Sequence, residues 1–373
     1  MRGGGTFARS AVCSLAMRRL RLIALAAAAC ALLLAAAAPA GARPVEKAFW
    51  SPGGPNAFPI VQQLGVSIIQ TSLNWSQIAK TRPADPTNPA DPAYQWPRAT
   101  DQDIAQAQQY GMKQLVEISK TPSWASGNSD PRYLPTDPAD YTNFLIAASR
   151  RYPTVRYWMI WSEACSQNRL QPITPQDFGT PVTADARSQP RAYAALLDAS
   201  YATLKGITPD NIVIGGNSWA VCGIRPIDWA HYLKTPDGRR PRMDLWGHNP
   251  YVVYNPHKLP DDWKVTDIYH LPELQAAIDK YFGKRPRIGL FLSEFTMPTA
   301  PDVEFPLYTS ERGQATYIKR AFAIARKLRT VAALGWLYLY DSPPDAGQTE
   351  GHNGGLLHAD GTEKPGYFVF RRE

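Results

Sequence analysis

Two glutamates, Glu163 and Glu294, each close an apolar, strand-like run. The first ends Val155-Arg-Tyr-Trp-Met-Ile-Trp-Ser-Glu163, and the second lies in Ile288-Gly-Leu-Phe-Leu-Ser-Glu294-Phe295. A carboxylate at the end of a buried strand is costly unless something pairs with it or uses it. Two of them, far apart in sequence, fit a barrel whose strand ends converge on one face. Converging carboxylates are the equipment of glycoside hydrolysis, in which one protonates the leaving oxygen and the other activates water or attacks carbon. The plain alternative makes each glutamate a member of a structural ion pair, with Arg156 or Arg287 as the nearby cation.

The elements that would position the pair alternate along the chain. Strand-like runs occur at 45–50, 65–71, 113–119, 155–161, 211–215, 243–248, 287–294 and 331–340. Helical patterns fall between them at 101–110, 137–151, 191–205, 226–233, 271–282 and 316–328. Asp137 opens one helix and Arg150-Arg151 close it, as the helix dipole favours. Strands separated by helices pair in parallel. The expected fold is α/β, a (β/α)8 TIM barrel forming a single domain over 43–373. Two connections, 75–98 and 166–190, are rich in proline or irregular. Both follow strands and would wall a cleft on the catalytic face, unless they are ordered insertions without function.

The first 42 residues read differently. Met17-Arg-Arg-Leu-Arg21 is basic, 22–38 is an uncharged Ala/Leu run, and Ala38-Pro-Ala40 and Ala40-Gly-Ala42 are small-residue cleavage patterns. Residues 1–42 are therefore expected to be a signal peptide, with Met17 as a natural start, and the chain to be secreted or held in the cell envelope. The alternatives are an uncleaved anchor or, more weakly, a lipoprotein through Cys30. Once the signal is removed, no stable membrane insertion is expected. The formal charge of +8 falls to +3 without the five arginines of 1–42. A nearly balanced chain without a basic stripe gives no warrant for nucleic acid as a partner. Cys165 and Cys222 remain in the mature chain, and export permits a disulfide between them or leaves two thiols. No His-x-His or His-Glu-x-x-His spacing is present, so neither a metal nor a cofactor is expected.

Read together, the strand ends resemble clan A glycoside hydrolases, in particular family 39-like bacterial members. Leu64-Gly-Val with Leu73-Asn-Trp75-Ser is similar to their second strand, and Thr121-Pro-Ser-Trp124-Ala to the end of their third. Tyr157-Trp-Met-Ile-Trp-Ser-Glu163-Ala resembles the Trp-Asn-Glu-Pro motif of the acid/base. His248-Asn-Pro-Tyr251 resembles the sixth-strand pattern, and Leu292-Ser-Glu294-Phe295 the nucleophile motif. Gly355-Leu-Leu-His-Ala-Asp-Gly-Thr-Glu-Lys-Pro365-Gly-Tyr is similar to the last turn and helix. The likeness runs through nearly the whole mature chain.

The resemblance implies that Glu163 is the acid/base, with a raised pKa, and Glu294 the ionised nucleophile of a retaining enzyme acting on an oligo- or polysaccharide. It implies that His248 and Tyr251 line the same face, the tyrosine donating to Glu294. Trp75, Trp124 and Trp336 could stack on sugar rings or belong to the core. Asn217, after Gly215-Gly216, points into the site or serves a turn. Three positions depart from the pattern. Ser162 stands where an asparagine normally contacts the sugar 2-hydroxyl, Gln70 where an arginine supports the nucleophile, and Ala164 where proline is usual. A catalytically impaired carbohydrate-binding protein on the same barrel is the alternative function.

Overall fold

The computed structural model describes residues 44–173, 182–252 and 265–373. The expected signal peptide, 1–42, lies outside the described residues. Eight strands form a closed parallel barrel in sequence order, β1 pairing with both β2 and β8. They are β1 Glu46–Trp50, β2 Ile68–Asn74, β3 Lys113–Ser119, β4 Tyr157–Ile160, β5 Ile212–Trp219, β6 Leu245–Asn249, β7 Gly289–Leu292 and β8 Val331–Trp336. A helix follows each strand: α1 Phe58–Gln63, α2 Arg98–Gln109, α3 Pro138–Arg151, α4 Ser188–Ile207, α5 Pro226–Tyr232, α6 Leu271–Phe282, α7 Glu311–Lys327 and α8 Pro365–Arg372. Single-turn helices at Trp75–Ile78 and Ser123–Ser126 add to the loops after β2 and β3. Among the described residues, no helix is long and apolar enough to cross a membrane.

Alternation along the strands builds two cores. Ala48, Ile68, Leu115, Met159, Ile214, Phe291 and Ala333 point inward and pack as one cluster across the lumen. Such inward packing fills a barrel of this kind and leaves no pore. The intervening residues, Trp158, Trp246, Leu290 and Leu292 among them, face outward onto the helices in a larger cluster. Glu117 has the inward parity of Leu115, two residues nearer the strand's C-terminal end, and is buried. The strand ends therefore close over apolar side chains and open into a polar layer.

Observed boundaries differ from the expected ones for local reasons. β2 begins at Ile68 and not at 65, because Gly65 has φ +76° in the turn after α1. β5 continues past 215 through a register shift between Gly215 and Ser218, which carries Asn217 toward the β4 end. α1, absent from the sequence reading, is six residues long and buries only Phe58 and Val61, too little for a periodic signal.

The proline-rich connection 75–98 does not wall the cleft as expected. It lies against α3: the Trp96 and Phe144 rings stack with centroids 5.5 Å apart, and Tyr94 packs on the same Phe144. Arg82 and Asp140 tie it down at 2.7 Å. The second connection contributes Ser166, Asn168 and Arg169 to the cleft, while 174–181 lie outside the described residues.

Candidate active site

The backbone just beyond β4 is strained. Trp161 and Glu163, neither a glycine, have φ of +68° and +38°. Left-handed conformations at such residues cost free energy and persist where surrounding structure dictates them, commonly at functional sites. Asn217 dictates it here: its side-chain amide donates to the carbonyls of Ile160, at 2.7 Å, and Trp161, at 2.6 Å. Asn217 therefore clamps the turn that presents Glu163 and does not itself line the cavity. Gly247 is required beside it, since a Cβ there would collide with Asn217 Oδ1.

Glu163 and Glu294 line one cavity of about 690 Å³. Its other walls are Ser166, Asn168, Arg169, Trp219, Val221 and Tyr251, with Glu304–Leu307 from the loop after β7. The Asn249 amide, at the end of β6, donates to Glu163 Oε1 at 2.9 Å. The Arg169 guanidinium reaches Glu163 Oε2 at 3.5 Å. The Tyr251 hydroxyl donates to Glu294 Oε2 at 2.7 Å. Ser293, just before Glu294, is anchored from three sides. Gln70 and Trp50 donate to its carbonyl at 2.8 and 3.2 Å, and its hydroxyl donates to Asn249 Oδ1.

Both carboxyls are held above the ordinary range. Burial raises Glu163, opposed by Arg169 and by the Asn249 hydrogen bond. Burial, then the charge of Glu163, pushes Glu294 up to about 8, opposed by the Tyr251 hydrogen bond. Two such groups titrate as a coupled pair. The sign for stability follows. A carboxyl whose folded pKa is raised binds its proton more tightly in the native state, so stability falls as pH rises from the unfolded value toward the folded one. We predict that wild-type melting temperature declines between about pH 5 and about pH 8. Glu294→Gln should flatten that decline and melt about 2 °C or more above wild type at the alkaline end. Calorimetric scans across this range check it.

Several residues expected at the site lie elsewhere. His248 has outward parity on β6 and is fully buried, with Ser218 Oγ 2.8 Å from Nδ1 and the Thr266 carbonyl 2.7 Å from Nε2. Burial depresses its pKa to about 4, so it is neutral. Trp75 is buried among Trp124, Tyr141 and Phe144, with ring centroids 5.5–5.6 Å away. Trp124 donates to the Ala79 carbonyl at 2.7 Å and carries the Arg82 guanidinium 4.4 Å over its ring. Trp336 donates to the Gly354 carbonyl at 3.2 Å and packs on Phe295 and Phe370. All three tryptophans are structural because the β/α packing claims their rings. Trp75→Ala should accordingly cost about 3–5 kcal/mol of stability while leaving KM of the folded fraction unchanged, as paired melting and kinetic measurements would reveal.

Arg156 and Arg287 do not pair with the glutamates. Arg156 donates to the Pro153 and Val155 carbonyls, and Arg287 pairs with Asp279 at 2.6 Å. Ser162 is not among the residues lining the cavity. Cys165 and Cys222 are joined, their Cα atoms 5.4 Å apart, and this ties the loop after β4 to the cavity wall at Trp219 and Val221. Asn249, Arg169, Glu117 and Trp219 were not singled out by sequence. Asn249 sat inside a recognised motif, and Glu117 was a lone charge in the apolar run of β3. Arg169 and Trp219 follow no periodicity that would mark them. Among the described residues, no group of His, Cys, Asp and Glu could hold a metal ion.

The closed parallel barrel is similar in fold to solved family 39 glycoside hydrolases. The chain is similar over 89% of its length to a family 39 glycoside hydrolase from the gut symbiont Bacteroides cellulosilyticus, with a TM-score of 0.61 and 18% identity, covering 63% of that chain. The family 39 enzyme of Xanthomonas axonopodis pv. citri matches over 88% of this chain and 66% of its own, with a TM-score of 0.60 and 18% identity. A monomeric beta-xylosidase from Caulobacter crescentus matches over 88% and 67%, with a TM-score of 0.56 and 16% identity. This chain thus spans less than two thirds of the length of the first two. No family model matches the sequence, and no curated protein matches it.

Proposed function

We propose that this chain is a secreted, retaining glycoside hydrolase acting on O-glycosidic bonds of an oligo- or polysaccharide. The observation that carries the reading is the convergence of Glu163 and Glu294, from the ends of β4 and β7, on one cavity where burial raises the proton affinity of both. A shared proton between two carboxyls is what the chemistry needs, one acid and one anion. Glu163 is the acid/base. Its strained turn aims it into the cavity, and burial keeps its proton available. Glu294 is the nucleophile, and the Tyr251 hydroxyl supports it as an anion. In the free site Arg169 lies beside Glu163.

The positions that depart from the family pattern have replacements. Gln70 supports the nucleophile's neighbour through the Ser293 carbonyl, without charge. The positive charge is supplied by Arg169, whose guanidinium feels Glu163, Glu294 and Glu117 together. Secretion rests on the pattern of residues 1–42.

The second reading, a carbohydrate-binding barrel without turnover, draws on Ser162, Gln70 and the Arg169–Glu163 contact. A panel of aryl glycosides and polysaccharides separates the two. Turnover of any member that disappears in Glu163→Ala and Glu294→Ala supports the hydrolase. Saturable binding without turnover across the panel supports the alternative, and hydrolysis surviving both substitutions would sink the site assignment.

A further inference from the structure

The cavity that holds Glu163 and Glu294 has walls of two chemistries. Polar groups reach the carboxyls themselves: Asn249 and Arg169 at Glu163, and Tyr251 at Glu294. Much of the remaining described lining is apolar. Trp219 and Val221 supply it at and beyond the end of β5, and Phe305, Pro306 and Leu307 in the loop after β7.

Both apolar walls are held in place by polar anchors. Asp302 is buried and accepts from the Glu304 and Phe305 N–H groups at 2.9 and 3.2 Å, and from the Asn353 N–H at 2.6 Å. The Val303 N–H donates to the Gly351 carbonyl at 3.2 Å, and the Thr309 N–H to the Pro298 carbonyl at 2.9 Å. Phe305 packs on the Tyr251 ring with centroids 4.8 Å apart. At the other wall the Cys165–Cys222 bridge fixes the chain, and the Trp219 N–H donates to Cys222 Sγ at 3.3 Å. The loop's one charge, on Glu304, is engaged by the Tyr338 hydroxyl at 2.7 Å.

Segment 303–308 thus presents apolar side chains to water in a set arrangement. Among the described residues four large hydrophobic side chains stand exposed, and two of them, Val303 at 39% and Tyr308 at 58%, belong to this segment. Single exposed apolar residues are ordinary, but a run of them on the loop that walls a cavity marks a surface that a ligand covers. A sugar covers such a surface poorly. Its C–H faces suit an aromatic ring, but its hydroxyls need partners, and the side chains of Val221, Pro306 and Leu307 offer neither donor nor acceptor. The volume of about 690 Å³ also exceeds what one sugar ring fills, and lies in the range of sites that enclose a drug-sized ligand.

Resting on the hydrolase reading, we propose that the leaving group is an apolar alcohol, held by the walls at Trp219 and Val221 and at Phe305–Leu307. The oligosaccharide of that reading is then one linked to an apolar aglycone. Glu294 attacks the anomeric carbon, the bond from that carbon to the aglycone oxygen breaks, and the alcohol departs with the proton of Glu163. Water, deprotonated by Glu163, then displaces Glu294 and completes the hydrolysis.

The test uses the n-alkyl glycosides, methyl through hexyl, of a sugar that wild type hydrolyses as its aryl glycoside, all below their micelle concentrations. Simple alkanols are nearly alike in acidity, so chain length changes burial and not the leaving oxygen's need for a proton. In an open cavity kcat/KM should rise by about twofold per methylene, or about 30-fold from methyl to hexyl. The hexyl glycoside should also outrun the disaccharide of the same sugar, although the disaccharide's leaving hydroxyl is the more acidic. Leu307→Asn and Val221→Asn should flatten the slope against chain length, whereas damage to the catalytic pair would lower every member alike. Should both variants fail to fold, the wild-type series alone decides. A flat series, a disaccharide preferred to the hexyl glycoside, or a slope unchanged in both folded variants overturns the proposal and leaves the hydrolase reading standing. A wild type that turns over no glycoside overturns both.

Discussion

Glu294→Ala is expected to lose hydrolysis by on the order of 10⁴-fold or more, whatever the leaving group. The reason is local. Ser293 is fixed by Gln70, Trp50 and Asn249, and Tyr251 holds the carboxylate, so no neighbouring group can swing in to attack carbon. The substitution should not harm the fold, because it removes a buried carboxyl whose charge the site disfavours. An alanine leaves room for a small anion. Added azide or formate should restore turnover of activated aryl glycosides, giving a product of inverted configuration in the azide case, because only one displacement then occurs. Loss without any rescue, together with an unchanged melting curve, would point to a role for Glu294 other than nucleophile. Steady-state rates with and without the anion are the measurement.

Glu163→Ala has the second largest effect, and its size should depend on the substrate. A general acid contributes roughly 10²- to 10⁴-fold when the departing oxygen needs a proton. Natural alkyl glycosides need one, so they should lose the full factor. Dinitrophenyl glycosides depart as stabilised anions and should form the glycosyl-enzyme almost as fast as in wild type. Their slow step becomes hydrolysis of that intermediate, which also requires Glu163, now as base. A burst of phenolate followed by a slow steady rate is therefore expected in stopped-flow records. The alkaline limb of the pH profile should disappear with the side chain that caused it. Equal loss for good and poor leaving groups, with the limb retained, would move the acid/base elsewhere in the cavity. Glu304 would be the next candidate, since it also lines the cavity, held by the Tyr338 hydroxyl at 2.7 Å.

The barrel was legible in the sequence because each strand is a short apolar run between helical patterns, and parallel order follows from those crossovers. The glutamates were legible because a charge ending an apolar run is conspicuous. The rest of the site was less so, for identifiable reasons. Tryptophan looks alike in sequence whether it packs a core or stacks on a sugar. Trp75 and Trp336 are claimed by the helices, whereas Trp219, in a register-shifted stretch of β5, reaches the cavity. His248 and Asn249 are neighbours, but strand parity sends one outward to Ser218 and Thr266 and the other inward to Glu163. The motif pointed to His248, and a one-residue shift of face gives the place at Glu163 to Asn249 instead. Arg169 comes from an irregular loop, where sequence carries no geometric information, yet it supplies the cation that Gln70 cannot. The altered residue Gln70 thus sits within a rearranged set of partners, holding the Ser293 carbonyl while Arg169 and Asn249 surround the acid.

The roles of Glu163 and Glu294 stand or fall on retention of configuration. Proton NMR of the sugar released in the first moments of hydrolysis, before mutarotation, reads the outcome directly. Two displacements, by Glu294 and then by water activated at Glu163, predict that the first-formed anomer has the configuration of the substrate. An inverted first product would contradict the double displacement and the roles assigned to both glutamates.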